Sequence, residues 1–333
     1  MPLTLYVDSA RWRQHLKTTW TDALVPVAKG NGYGFGRDRL LTEAGFLGAT
    51  TVGVGTYDEV PVSPSTDVVV LSPWRSFLDV PSGGRIIHTI SRISDLIAVP
   101  PGTRAVVEVQ TSMRRHGIEI GHLVQLAAGG MLNRIRFEGW SIHLPMGPGG
   151  SSANVKEAAD LASAALRVRP GTIWVSHVPV SSLGSIGEDV RLRIGTALWL
   201  GDRAALDVRA TVLDVHVVRR GERVGYRQRR CPGDGHVIVV SGGTSHGIGL
   251  EAPTAAANVR QRAVSLAKGG LEAAGLALSP YKIEGKQRWF AEPPHMQASM
   301  LFLPSSVTPP DIGTEIPVDV RFTTTTFDRI VLN

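Results

Sequence analysis

Eight short apolar runs in the first two-thirds of the chain constrain its fold more than any other feature. They cover residues 24–28, 51–54, 68–71, 85–88, 104–109, 139–143, 172–177 and 193–198. Each has the length of a strand, and amphipathic stretches such as 9–18, 121–128 and 153–167 lie between several of them. Strands that alternate with helices are joined by crossovers and build a parallel sheet with helices packed outside it. Such a count over about 200 residues fits a (β/α)8 TIM barrel, and a doubly wound sheet produces a similar string. Periodicity leaves the two open.

Past residues 201–202 the texture changes. Residues 206–218 alternate, Gly221-Glu222-Arg223 reads as a turn, and strand-like runs follow at 223–228, 236–240, 300–303, 316–322 and 329–332. One helix-like stretch, 255–274, interrupts them. Alternation between turn signals describes a compact, mostly-β domain. The expected organisation is an α/β domain over residues 9–203 and a C-terminal β-rich domain over 204–333, which also takes in a first strand over residues 1–8.

Hydrophobic residues make up 43% of the 333 and charged residues 19%, the balance of a globular protein with a sizeable core. The single cysteine, Cys231, leaves no internal disulfide and suits a reducing compartment. The opening residues lack the basic segment and long apolar core of a secretory signal. No apolar run approaches the roughly 20 residues that cross a bilayer. A cytoplasmic protein with no membrane partner is expected. The net charge of +6 is densest at Arg219, Arg220, Arg223, Arg227, Arg229 and Arg230, in a Gly-punctuated segment. Spread over a hairpin these form a solvated face, and no helix-turn-helix, RNA-binding aromatic pair or zinc-finger spacing accompanies them, so no nucleic-acid partner is expected. The His and Cys spacings give no metal-site pattern.

The chemistry is most legible at Val27-Ala28-Lys29-Gly30-Asn31-Gly32-Tyr33-Gly34-Phe35-Gly36. A lysine whose stem leaves a buried strand is partly desolvated, which lowers its pKa and favours imine chemistry with a carbonyl cofactor. This stretch resembles the cofactor-lysine signature of the alanine racemase family, V-x-K-A-N-A-Y-G-H-G, with Gly30, Gly32 and Phe35 replacing two small residues and the histidine. Further segments resemble the family in order along the chain. Residues 111–118, Thr-Ser-Met-Arg-Arg-His-Gly-Ile, resemble T-G-M-G-R-x-G-I; Gly139 to His143 resembles G-x-x-x-H; and Leu192-Arg193-Ile194-Gly195-Thr196-Ala197-Leu198-Trp199 resembles V-R-P-G-I-A-L-Y-G. Gly221-Glu222-Arg223-Val224-Gly225-Tyr226 resembles G-E-x-V-x-Y-G.

The resemblance implies a barrel that binds pyridoxal 5'-phosphate and a β-rich C-terminal domain. It implies that Lys29 forms the internal Schiff base and acts as one acid/base group, with Tyr226 as the second. Inversion at carbon needs proton acceptors on both faces, and a tyrosine serves only if positive charge lowers its pKa. The implied cofactor contacts are Tyr33, Ser181, Gly195 and Thr196 towards the phosphate, His143 against the ring and Arg193 at the pyridine nitrogen. An arginine does not give up its proton, which leaves that nitrogen unprotonated. Arg115, with Met300, is implied on the substrate side, where a guanidinium fork suits a carboxylate. Glu108 stands where the family often carries a carbamylated lysine. The tyrosine arrives from the second subunit in the family, so a homodimer is implied.

Departures cluster towards the C-terminus. Val180 replaces the asparagine of N-S-A-A, Ser241 to Gly249 replaces G-Y-x-D-G-Y, Leu301 replaces the aspartate of S-M-D, and Phe327 stands near an expected phosphate-binding tyrosine. These changes suggest an altered substrate entrance. The reading is a pyridoxal-phosphate amino-acid racemase, with alanine as the first substrate. Its alternatives are a racemase of another amino acid and a non-catalytic cofactor-binding or regulatory protein of the same fold.

Overall fold

The computed structural model describes residues 2–146, 152–250 and 277–333. The chain divides into two compact units, Gln14–Gly201 and Met1–Arg13 with Asp202–Asn333. It opens with β1 (Leu3–Val7) and α1 (Ser9–Thr19). Eight strands follow in the first unit: β2 (Leu24–Pro26), β3 (Thr51–Val54), β4 (Asp67–Pro73), β5 (Ile86–Ile90), β6 (Arg104–Val109), β7 (Arg136–His143), β8 (Ile173–Ser176) and β9 (Val190–Ile194). The helices among them are α2 (Arg37–Phe46), α3 (Ile93–Ala98), α4 (Ile120–Ala128), α5 (Ser152–Val168) and α6 (Thr196–Trp199).

Every pairing in this unit is parallel, in the order β2-β9-β8-β7-β6-β5-β4-β3. The two edges then meet: Val27 bridges Gly53, and the Ala28 N–H donates to the Gly53 carbonyl at 2.8 Å. A doubly wound sheet keeps two open edges, so closure decides for the barrel. Val25, Val69, Ile87, Val106 and Trp174 form its buried core. Side chains on one face of a strand recur every second residue. One step beyond this apolar layer, towards the strand C-termini, the inward positions turn polar: Glu108 on β6, His143 on β7, Ser176 on β8 and Arg193 on β9.

The second unit contains β10 (Leu206–Val218), β11 (Arg223–Val224), β12 (Arg229–Arg230), β13 (Gly235–Ser241), β14 (Leu278–Ile283), β15 (Lys286–Phe290), β16 (Ala298–Pro304), β17 (Glu315–Pro317) and β18 (Arg329–Leu332). Its main sheet runs β14-β15-β16-β13-β10-β1-β18, with β1 antiparallel to β10 and parallel to β18. The first strand of the chain thus completes the sheet of the second unit.

Several elements differ from the sequence expectation. The run at 193–198 is not one strand: β9 ends at Ile194, and Gly195, at φ −126° and ψ −86°, turns the chain into α6. The run at 223–228 keeps only two paired residues, because Gly225 (φ +71°) and Gln228 (φ +47°) bend it into a tight turn. The run at 316–322 forms a strand only over Glu315–Pro317, followed by one isolated bridge from Val318 to Tyr281. The hairpin β14–β15 was not anticipated. Glu284 and Gly285 join its strands at φ +52° and +73°, the doubly left-handed turn whose twist matches that of a hairpin. The helix expected at 255–274 lies outside the described residues.

Candidate active site

Lys29 stands just past the end of β2, at the barrel face where strands end and loops begin. Trp199 fixes the strand below it, donating its indole N–H to the Val27 carbonyl at 2.8 Å. A carboxylate not singled out from sequence braces the loop above it. Glu59 accepts the Gly30 N–H at 2.8 Å and the Gly55 N–H at 2.6 Å, tying the lysine loop to the end of β3. The loop then coils tightly, with left-handed backbone at Gly30, Gly32, Tyr33, Gly34 and Gly36. At Gly32 the need is also steric, since a Cβ would lie 2.5 Å from the Arg37 amide nitrogen. Although Lys29 is solvent-accessible, desolvation lowers its pKa, Arg115 and Arg193 add to that shift, and Glu59 opposes it.

The coil delivers Tyr33, which is buried, to Gly195 on the opposite side of the closure seam; a Cβ at Gly195 would run into the tyrosine hydroxyl. Burial first, and Glu59 second, push the Tyr33 pKa up to about 12, so it remains a neutral donor. Two sequence-named residues are thereby brought together. Thr196 and Ser181 are both exposed, one at the start of α6 and one in the short 3-10 helix Val180–Ser185.

Arg193 is the buried centre of the polar layer. One of its terminal nitrogens donates to Ser141 Oγ at 3.0 Å and the other to the Ile142 carbonyl at 3.1 Å. Its Nε and the Glu108 Oε2 are buried and carry no hydrogen bond. Burial lowers the Arg193 pKa to about 10 against the pull of Glu108, and burial likewise raises that of Glu108 against the pull of Arg193 and Arg115. His143 Nδ1 and the Ser176 hydroxyl share a hydrogen bond at 3.0 Å, and the His143 ring meets that of His177 edge-on at 5.4 Å. Burial, then Arg193 and Arg115, hold the His143 pKa down to about 2, so the ring is a neutral imidazole. Thr111 donates to the His143 carbonyl at 2.7 Å, and Glu157 of α5 holds the next residue by its N–H at 2.5 Å and its hydroxyl at 2.7 Å. The exposed Arg115 lies on this tethered loop.

Ser141, Ser176, His177, Thr111 and Glu59 are residues of the candidate site that sequence reasoning missed. Ser141 and Ser176 had a usable signal, as inward positions of strands already identified; Glu59 had none.

The remaining named residues belong to the second unit. Tyr226 sits in the turn between β11 and β12 and is 86% exposed, with its ring 4.7 Å from that of His295. Met300 lies on β16, its side chain packed on the buried cluster of Val218, Cys231 and Val237. Leu301 is fully buried and pairs with Ile238, so the departure there faces a core rather than an entrance, contrary to the sequence expectation. Phe327 is half-buried against Phe322.

A closed parallel barrel with a lysine, two arginines and a neutral histidine at its strand ends defines the class, a (β/α)8 barrel with its site at the C-terminal face. Residues 9–200 match the N-terminal domain of alanine racemase, and the chain belongs to that family. No curated protein matches it in sequence. Among solved structures it is similar to the alanine racemase of Bartonella henselae with covalently bound pyridoxal phosphate, at a TM-score of 0.72 and 15% identity, with 100% of both chains covered. It is also similar to the alanine racemase from E. faecalis, at 0.70 and 16% identity over 100% of this chain and 98% of that one. The biosynthetic alanine racemase of Pseudomonas aeruginosa follows at 0.66 and 16% over 96% and 91%. At such identities the likeness is one of fold.

Proposed function

We propose that this chain is a pyridoxal-phosphate-dependent amino-acid racemase, with alanine as its first substrate and Lys29 and Tyr226 as its two acid/base groups. The observation that carries the reading is the unpaired, buried Nε of Arg193 below the lysine. A buried donor without a partner costs about 1–3 kcal/mol, more when charged, and an aromatic ring nitrogen is the acceptor it suits. The residues present therefore fit the cofactor. Arg193 would meet its ring nitrogen, His143 its ring face, and Tyr33, Ser181, Gly195 and Thr196 its phosphate. When bound, the cofactor supplies the electron sink that makes a substrate α-hydrogen acidic.

The chain's own residues supply the rest. The lowered pKa of Lys29 makes its amine available as a base at a lower pH than an ordinary lysine, so the rising limb of the pH–rate profile should precede the ordinary lysine range. Arg115 would receive the substrate carboxylate, with Met300 on the substrate side. Glu108 supplies a carboxylate near Arg115 and Arg193 without a modified lysine. Tyr226 would serve a second copy of the chain, so the active form would be a homodimer, and the working compartment the cytoplasm.

Incubation with a panel of L-amino acids in heavy water, followed by chiral chromatography and mass analysis, tests the activity. Borohydride should fix the cofactor on Lys29, which peptide mapping locates. A colourless protein that takes up no added pyridoxal phosphate would sink the reading. Mixing Lys29→Ala with Tyr226→Phe protein should restore activity through hybrid dimers; a monomeric active enzyme would refute the shared site.

A further inference from the structure

The turn that carries Tyr226 is held by groups of its own unit. Glu292 is buried at 2% exposure, follows β15, and receives the His295 Nε2–H at 2.5 Å and the Arg227 N–H at 3.3 Å. Gly225, at φ +71°, lets the turn lie against this carboxylate, because any Cβ there would collide with it. Between Glu292 and His295 stand Pro293 and Pro294, whose rings fix φ and stiffen the segment. The His295 backbone is pinned on both sides: its N–H donates to Ala298 at 2.9 Å and its carbonyl accepts the Thr244 N–H at 2.8 Å. The imidazole, oriented by the carboxylate and by this rigid backbone, lies 4.7 Å from the Tyr226 ring at 44°. An exposed tyrosine on a mobile turn would lose the orientation that proton transfer needs, since misplacement by about 1 Å can cost on the order of a hundredfold.

We infer that Glu292 and His295 are positioning residues that hold the ring of Tyr226 in working orientation, an inference that rests on the two-base reading above. The carboxylate acts twice, on the turn through Arg227 N–H and on the ring through His295.

The test uses the full-length protein with ring-13C tyrosine, in which Tyr226→Phe identifies one resonance among the five tyrosines. In His295→Ala and Glu292→Ala the Tyr226 resonance should shift and narrow towards that of free tyrosine. With cofactor bound, both variants should lose about tenfold or more in racemisation, with KM changed less than kcat. Exchange of the α-hydrogen from the enantiomer served by Lys29 should stay within about twofold, which general misfolding would not allow. Glu292→Gln, which keeps an acceptor for one of the two donors, should recover part of the loss. An unmoved Tyr226 resonance in His295→Ala overturns the inference whatever the activity, and this variant remains decisive if Glu292→Ala does not fold. Equal loss of racemisation and Lys29-side exchange also overturns it. A parent protein that exchanges no amino acid sinks the racemase reading, while the resonance still decides whether the pair holds Tyr226.

Discussion

The two candidate acid/base residues are placed by different physical means. Lys29 follows a barrel strand whose position is set by parallel pairing, by the bridge from Val27 to Gly53 and by the Trp199 indole. Glu108, His143 and Arg193 share one polar layer of the barrel because sheet register places them there. Tyr226 has no such frame. It lies on a turn between two-residue strands, fully open to solvent on one side, and depends on a few local contacts to Glu292 and His295. Register is cooperative and resists single changes, whereas a turn held by one carboxylate and by Gln228 on the Gly225 carbonyl has few contacts to lose. The barrel site should thus fail through electrostatics, and the turn through loss of order.

The largest effect should come from breaking the barrel's buried charges. Arg193→Gln leaves Glu108 without its main compensating charge and should cost about 3–5 kcal/mol in urea unfolding, with cofactor binding lost. Adding Glu108→Gln should recover part of that stability but not the cofactor. Tyr226→Phe is the contrasting case. Its exposed hydroxyl should matter by less than about 0.5 kcal/mol to stability, yet racemisation should fall about a hundredfold while one-sided α-hydrogen exchange persists. Unfolding curves and deuterium incorporation read both halves.

A smaller effect sharpens the comparison within the barrel. Glu59→Ala strands the N–H groups of Gly30 and Gly55 and should cost about 2 kcal/mol, together with a loss of kcat as Lys29 loses its brace. Kinetics and thermal melting would show this, and unchanged kcat would mean that the loop holds itself. The last effect concerns pH. The folded-state pKa of His143, about 2, lies below the ordinary value of 6.5, so the unfolded chain binds the extra proton between these values. Its contribution to stability is full above pH 6.5 and is lost as pH falls towards the folded value. His143→Gln should therefore flatten the acid limb of the stability curve, measured by denaturant midpoints from pH 7 to 4.

Much of the barrel was legible because a strand buried on both faces writes itself as an apolar run, and residues 51–54 and 104–109 pair over those bounds. The short second-unit strands were less legible. Pairing there ends where the backbone turns, as at Gly225 and Gln228, and not where apolar character ends. The motif positions Lys29, Tyr33, His143, Arg193 and Gly195 were visible, and four of their supports were not. Glu59, Ser141, Ser176 and Thr111 act through hydrogen bonds to Gly30, Arg193 and His143, 29 to 52 residues away, a distance that leaves no local pattern.

By itself the sequence determined the succession of strands and helices, the lysine at a strand end and the family to which it is similar, because these depend on residues close together in the chain. The tertiary structure decided the choice between an open sheet and a barrel, since closure is one bridge between Val27 and Gly53 that periodicity does not encode. It also decided that Leu301 faces a core, that His143 is neutral and that Arg193 keeps one buried N–H unpaired. Burial and electrostatic shifts are sums over everything packed around a group, and those neighbours come from every strand of the sheet.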